Sequence, residues 1–397
     1  MIYLRHKTII AVLLIQITSL LLVGCSVNET KVVYNIEPVD ITNPDSEKLN
    51  LRSISDSISY ILLDTPEELA LGQLDRAQLT DDRIFVLDRE IAAALYVFDR
   101  RGKYIFDIQE GIGGPGEVLE FSDFDVDEIA QELYILDNER MDIKVFDFAG
   151  EFVRSIRLPF YAASLSVMGD EIAIFRNNQF DIGDEWGNHQ VVIFSKSGEL
   201  KRGFMPISKE TNYFSYHDSF RPLHATDKGW IFSQALNDTI FEISGSTINA
   251  KFKIDFGDQS LGKIEGGFFG INNFLQSEQR MKSLYLMGDT FDRSDYLLSL
   301  FFAGKTYKYL FYDKRSEHTS VVNRIENDID YVPILHIKYA NNDYYLMADL
   351  PAELLLSLDE QMETVTGQTQ KIHDLVNDPV FEKENPVLML IHLKSRE

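Results

Sequence analysis

The feature that constrains this chain most is a segment that returns at a fixed distance. A-L-Y-V-F-D-R-R-G-K-Y-I-F-D-I, starting at Ala94, aligns with D-I-K-V-F-D-F-A-G-E-F-V-R-S-I from Asp142 and with Q-V-V-I-F-S-K-S-G-E-L-K-R-G-F from Gln190. Phe98, Phe146 and Phe194 stand 48 residues apart, as do Gly102, Gly150 and Gly198; Phe241 and Gly245 follow 47 further on. Each copy alternates apolar and polar residues on both sides of its glycine. That is the pattern of two strands joined by a turn that needs a positive φ. Another strand pattern precedes each copy: R-I-F-V-L-D from Arg83, E-L-Y-I-L-D from Glu132, E-I-A-I-F from Glu171 and G-W-I-F-S from Gly229.

One further inner strand per copy gives four strands in about 40 to 50 residues, the size of a propeller blade. A fifth unit spans 284–325, with central strands at 296–302 and 307–312. The sixth uses P-I-L-H-I-K-Y-A from Pro333, D-Y-Y-L-M-A-D from Asp343 and V-L-M-L-I-H-L from Val387. Within it, P-A-E-L-L-L-S-L-D-E-Q-M places Leu354, Leu355, Leu358 and Met362 at helical spacing after Pro351. This unit lacks an outer strand, and S-I-S-Y-I-L-L-D at 57–64 lies unused before the first. The expected fold is therefore all-β. It is a six-bladed β-propeller over 54–397, with four-stranded antiparallel blades, N- and C-terminal strands closing the last blade, and a helical insertion near the C-terminus.

The first 24 residues read as a signal. Arg5, His6 and Lys7 precede an apolar run that ends in L-V-G-C, and Cys25 is the only cysteine of 397 residues. A small residue followed by cysteine resembles a lipobox, which makes Cys25 the expected lipidation site and a membrane the expected partner through that lipid. Residues 25–53, polar and without a clear period, read as a flexible tether. Residues 1–24 hold two basic and no acidic side chains, so their removal takes the formal charge from -25 to -27. Such a surface repels phosphate backbones, and no nucleic-acid partner is expected.

The chain resembles the six-bladed β-propeller lipoproteins of Bacteroidota, which are similar to NHL-repeat propellers. The matching residues are the lipobox, S-Y-I-L-L-D-T, V-F-D-R-R-G-K-Y-I, G-I-G-G-P-G-E and E-N-P-V-L-M-L-I. The resemblance implies the fold and a cell-envelope location, lipid-anchored at the outer membrane, and it implies no shared catalytic residues.

The motifs that usually carry chemistry are weak here. G-I-G-G-P-G at 111–116 has the spacing of a dinucleotide loop, yet E-V-L-E-F-S-D-F-D-V-D follows it and no crossover helix does. It reads as a joint between blades, and no nucleotide or other cofactor is expected. Asp123, Asp125 and Asp127 alternate, but Glu128 and Tyr134 stand where a calcium loop wants glycine and glutamate. They are read as lining a polar channel or capping turns, and no metal site is assigned. The histidines are scattered without ligand spacing, and no catalytic residue is assigned.

Strand direction adds one inference. The long connections at 177–189, 206–220, 257–283 and 351–385 all leave from one face, and the glycine-ended turns leave from the other. Function sits on long loops held by a rigid scaffold. The candidate ligand-binding residues are accordingly Phe180, Trp186 and His189, then Tyr213, Phe214 and Tyr216, then Phe268 and Phe269, with Phe274 as a further exposed ring. Flat rings among Asp and Asn suit glycans or peptides. The expected function is a non-catalytic envelope lipoprotein that binds a glycan, a peptide or an envelope protein on this face. A lyase or hydrolase with its site in the axial pocket, and a structural subunit of a membrane complex, are the alternatives.

Overall fold

In the computed structural model the described residues are 33–394, apart from 70, 115, 178–187, 208–220, 263, 265–266, 336, 341–344, 362–365, 368 and 384. Six sheets form the six blades of a propeller. Blades one to five run over 76–109, 123–157, 164–206, 223–255 and 284–322, each with its strands in chain order from axis to rim. The sixth takes Ile337–Tyr339, Tyr345–Leu350 and Val387–Leu393 from the C-terminal end and Ser55–Leu62 from the N-terminal end.

The blades hold together through apolar layers between neighbours. In R-I-F-V-L-D, Ile84 and Val86 pack toward blade six, while Phe85 and Leu87 pack toward blade two. Both faces of the strand are buried, which is why it reads as a continuous apolar run. The same division recurs around the ring, with one apolar layer at each of the six blade interfaces.

The repeated turn has a specific chemistry. Asp99 Oδ1 accepts from the Arg101 and Lys103 amides, Asp147 Oδ1 accepts from those of Ala149 and Glu151, and Ser195 Oγ accepts from that of Glu199. Gly102 adopts φ +87°, and a Cβ there would lie 2.0 Å from the Leu62 carbonyl oxygen. The turn of blade one thus presses its backbone against the closing strand, and the Asp64 amide donates to the Gly102 carbonyl at 2.9 Å. Only glycine satisfies both demands.

Closure is as the sequence predicts. Ser57 to Leu62 pair antiparallel with His392 to Val387. Asn385, 3% exposed, clasps the joint: its Nδ2 donates to the Leu63 carbonyl at 2.8 Å and to Thr65 Oγ1 at 2.9 Å. The helical insertion is present as Ala352–Glu360, with Leu355 fully buried, and a second helix follows at Gln370–Val376. Met362 lies outside the described residues.

The expected tether at 25–53 needs correction from residue 33 onward. Val33–Asp40 is a strand, parallel to Thr247–Asp255, and forms a fifth strand on the outside of blade four. The chain then bridges to blade five at Ser46 and Asn50 before entering blade six. Val39 and Ile41 join the layer between blades four and five. The sequence hid this strand because Pro38 sits inside it and, of Ile36 to Asp40, only Val39 is buried, both of which an edge position tolerates.

Replacing Asn385 with alanine leaves the buried Leu63 carbonyl without its donor, a loss of about 1–3 kcal/mol. The midpoint of chemical unfolding of Asn385→Ala checks this; an unchanged midpoint would show that the clasp does not hold the ring.

Candidate functional site

All four long connections leave and re-enter the ring at one rim, because each joins a second strand to a third or a fourth strand to the next blade. At the centre of that rim lies a cavity of about 370 Å³. Its polar side comes from the starts of inner strands, with Arg76, Asp123 and Ser164, and from the links before them, with Asp75, Ser122 and Arg221. Its apolar side is Phe175, Met287, Phe291, Leu298, Leu300, Tyr307 and Tyr309.

The polar side answers a problem of propeller geometry. The inner edge of each innermost strand carries backbone amides with no strand partner, and leaving such groups unpaired and buried costs about 1–3 kcal/mol each. Asp123 Oδ2 accepts from the Leu165 amide at 2.9 Å and Asp125 Oδ2 from the Val167 amide at 2.7 Å, so blade two caps the inner edge of blade three. Their other oxygens meet arginines. Asp123 Oδ1 pairs with Arg76 Nη1, and Asp125 Oδ1 accepts from Arg221 Nη2 at 2.9 Å, with Arg76 Nη2 at 3.6 Å. Asp127, one step further down the strand, pairs with Lys196 at the opposite rim.

A bulge delivers the last acid. The register of Leu284–Asp292 on its neighbour shifts between Leu286 and Thr290, and Gly288 within the bulge has φ +105°. Such bulges re-aim side chains. Here it turns Asp289 to the axis, where its Oδ1 accepts from the Arg221 amide at 2.8 Å. Burial, partly offset by that bond and by the charges of Arg221, Lys338 and Arg76, pushes the Asp289 carboxyl up to about 7. Burial and the neighbouring arginines hold the His224 imidazole well below its usual range, hence neutral; its ring lies 4.7 Å from that of Phe291. Burial, then the charge of Arg221, also lowers the Arg76 guanidinium, which stacks 4.7 Å from the centre of the Phe124 ring.

Of the residues the sequence pointed to, Phe180, Trp186, Tyr213, Phe214 and Tyr216 lie outside the described residues, as does Cys25. Phe268 and Phe269 fall in a helix, Gly267–Leu275, at the long-loop rim. Phe274 of that helix is buried, edge-on to Tyr285 at 6.1 Å, so this ring pins the loop and is not an exposed platform. His189 begins the third strand of blade three opposite Pro206 and does not line the cavity. Asp123 and Asp125 do line the channel. The sequence missed Arg76, Arg221, Asp289 and His224, and no local signal could have found them. They come from blades one, four and five, and Arg76 and Arg221 are 47 and 96 residues from their carboxylates.

The glycine loop at 111–116 joins blade one to blade two. Its amides do form an anion nest, and the chain fills it itself: Glu117 Oε2 accepts from the amides of Ile112 at 3.0 Å, Gly113 at 2.7 Å and Gly114 at 2.5 Å. Those bonds lower the Glu117 carboxyl below its usual range. The donors that would cradle a phosphate are taken.

No functionally curated protein matches the chain. Among solved structures, a protein of Bacteroides fragilis described as exported is similar, with a TM-score of 0.70 and 16% identity over 90% of this chain and all of its own. A member of the DUF4221 family from Bacteroides vulgatus has a TM-score of 0.45 and 11% identity over 88% of this chain and 99% of its own. The first shares the fold. The model of a family described as a domain of unknown function, DUF4934, covers residues 33–392, from the added strand on blade four to the closing strand of blade six, and the chain belongs to that family.

Proposed function

We propose that this chain is a non-catalytic lipoprotein of the cell envelope that receives a ligand in the axial pocket of its long-loop face. The observation that carries the reading is the cavity itself, at the rim from which the four long connections leave the ring, walled by an apolar side and a charged side. Its volume is that of a small-ligand site. Exposed apolar side chains on the same rim, among them Ile91, Ile112, Tyr161, Tyr331 and Leu335, extend the surface beyond the pocket. The lipobox at Cys25 and the Bacteroides fragilis protein described as exported support the envelope location. No helix among the described residues is long and apolar enough to cross a membrane.

The direction of the added strand on blade four orients the molecule. Val33–Asp40 runs parallel to Thr247–Asp255, a fourth strand, and so begins at the short-turn rim. The eight residues from Cys25 to Val33 reach at most about 3.3–3.6 Å each. The short-turn side then faces the membrane, and the pocket faces away from it.

Three outcomes follow. In a thermal-shift screen of monosaccharides, disaccharides and dipeptides, a binder raises the melting temperature of the wild type and not of Ala163→Trp, which fills the cavity. Binding that survives Ala163→Trp and fails in Trp186→Ala or Tyr213→Ala would move the site to the loops. In vesicles carrying a lipid-attached quencher, a dye on Ile129→Cys, at the short-turn rim, is quenched more than one on Ile112→Cys, at the long-loop rim. The reverse order would overturn the orientation.

The third concerns Asp289, the observation that favours the alternative of an acid–base enzyme. Its carboxyl binds a proton in the folded chain up to about 7 and in the unfolded chain only up to the ordinary value of 3.8. Folding stability from this group is therefore full below about 4 and falls as pH rises to about 7. Asp289→Asn is expected to be more stabilising at pH 8 than at pH 5, by about 1–3 kcal/mol. Equal effects at both pH values would show that the buried carboxyl is not protonated near neutrality. For the enzyme reading, Asp289→Asn retains binding and loses turnover.

A further inference from the structure

Hydrogen-bond accounting in the pocket points to the chemistry of its ligand. The carboxylate oxygens of Asp75, Asp123 and Asp125 are committed. Asp75 accepts from the Arg89 amide at 2.7 Å and from Gln73 Nε2 at 2.8 Å, and both oxygens of Asp123 and of Asp125 are engaged as described. The donors are not. Arg221 uses Nη2 alone; its Nε is buried with no partner among the described residues, and its Nη1 forms no hydrogen bond among them. Lys338 Nζ has one bond, to the Leu74 carbonyl at 3.2 Å, and no carboxylate within ion-pair distance among the described residues. Arg76 Nε is likewise buried without a hydrogen-bond partner among the described residues.

The charge count agrees. Arg76, Arg89, Arg221 and Lys338 face the engaged carboxylates of Asp75, Asp123 and Asp125, an excess of one cation, while Asp289 supplies a charge only when it is ionised. One further negative charge balances the site; a dianion such as a phosphate monoester overfills it. The facing wall of Phe175, Phe291 and Leu300 takes an apolar surface.

We infer that the axial pocket takes a monocarboxylate with a compact, partly apolar body of monosaccharide or dipeptide size. The carboxylate meets Arg221 and Lys338, and the body lies against the apolar wall. Charge-assisted bonds of this kind are the strong ones, and they form at donors the fold leaves unused. A uronic acid and an acylated amino acid share this chemistry. The inference rests on the axial-pocket reading above.

The test is calorimetric titration of the full chain carrying Cys25→Ser with two pairs of probes that differ only in the charge. Methyl glucuronide against methyl glucoside represents the sugar source, and N-acetylphenylalanine against its methyl ester the peptide source. At least one acid is expected to bind tenfold or more tighter than its neutral partner, and the pair that shows the difference identifies the source. Arg221→Met and, independently, Lys338→Gln should shrink that ratio toward one. Lys338→Gln keeps the result readable should Arg221→Met fail to fold. Equal binding of acid and neutral partner, or no binding by any of the four, overturns the inference. Tenfold discrimination that persists in Ala163→Trp instead overturns the axial-pocket reading and leaves the carboxylate preference to another site.

Discussion

Everything in this molecule depends on the ladder between Ser55–Leu62 and Val387–Leu393. An open array of six sheets would expose two unpaired strand edges and the apolar faces of its end blades, the conditions for edge-to-edge aggregation. The ladder pairs one edge with the other across more than 320 residues of sequence. Closing so long a loop is less costly than it looks, because the entropy grows only as the logarithm of length, about 0.6 kcal/mol per doubling. The extended N-terminal segment adds a second restraint. It lies along blade four, bridges to blade five and only then enters blade six, so three blades are held together by one continuous stretch of backbone.

Closure creates the second constraint, at the axis. Six inner strands then face each other with edge amides that no seventh strand can reach. Asp123 and Asp125 meet that need for blade three, and the two arginines balance the charge this places in a buried channel. Buried ion pairs contribute little net stability against well-packed apolar groups. Their presence here is better explained by amide satisfaction, which an apolar side chain cannot provide. The pocket grows out of the same solution: arginines recruited to neutralise edge-capping carboxylates keep donors to spare, and those donors face the cavity.

How much of this could be read from the sequence follows from the range of the interactions. The first three blades were legible because each is set by local chemistry, an Asp or Ser opening the turn, a glycine ending it, and alternation in the flanking strands. Closure was legible because one unit lacked a strand and one strand lacked a unit. The strand at Val33–Asp40 was not, since Pro38 interrupts its pattern and Val39 alone is buried among Ile36 to Asp40. The site was not legible either. Asp123 and Asp125 stood out only as alternating acids, equally suited to a metal, a turn or a channel, and their arginines lie on other blades. Asp289 reaches the axis through a bulge, and a bulge shifts the alternation by which strand faces are read. The aromatic residues chosen from the loops show the opposite bias: side chains that look exposed by composition can be anchors, as Phe274 is.

A cation-rich pocket in a chain of formal charge -25 is a discriminating arrangement. The acidic exterior acts at long range and is damped beyond about 8 Å at physiological ionic strength. A ligand with a single carboxylate meets little net repulsion across that distance. A polyanion meets it at every charge, both outside the pocket and at its mouth. Inside, the order reverses, because burial weakens screening and the unpaired donors of Arg221 and Lys338 act at contact distance. Selectivity for a small, singly charged acid then comes from two fields of opposite sign and different range, one set by the surface composition and one by what the axial carboxylates leave over.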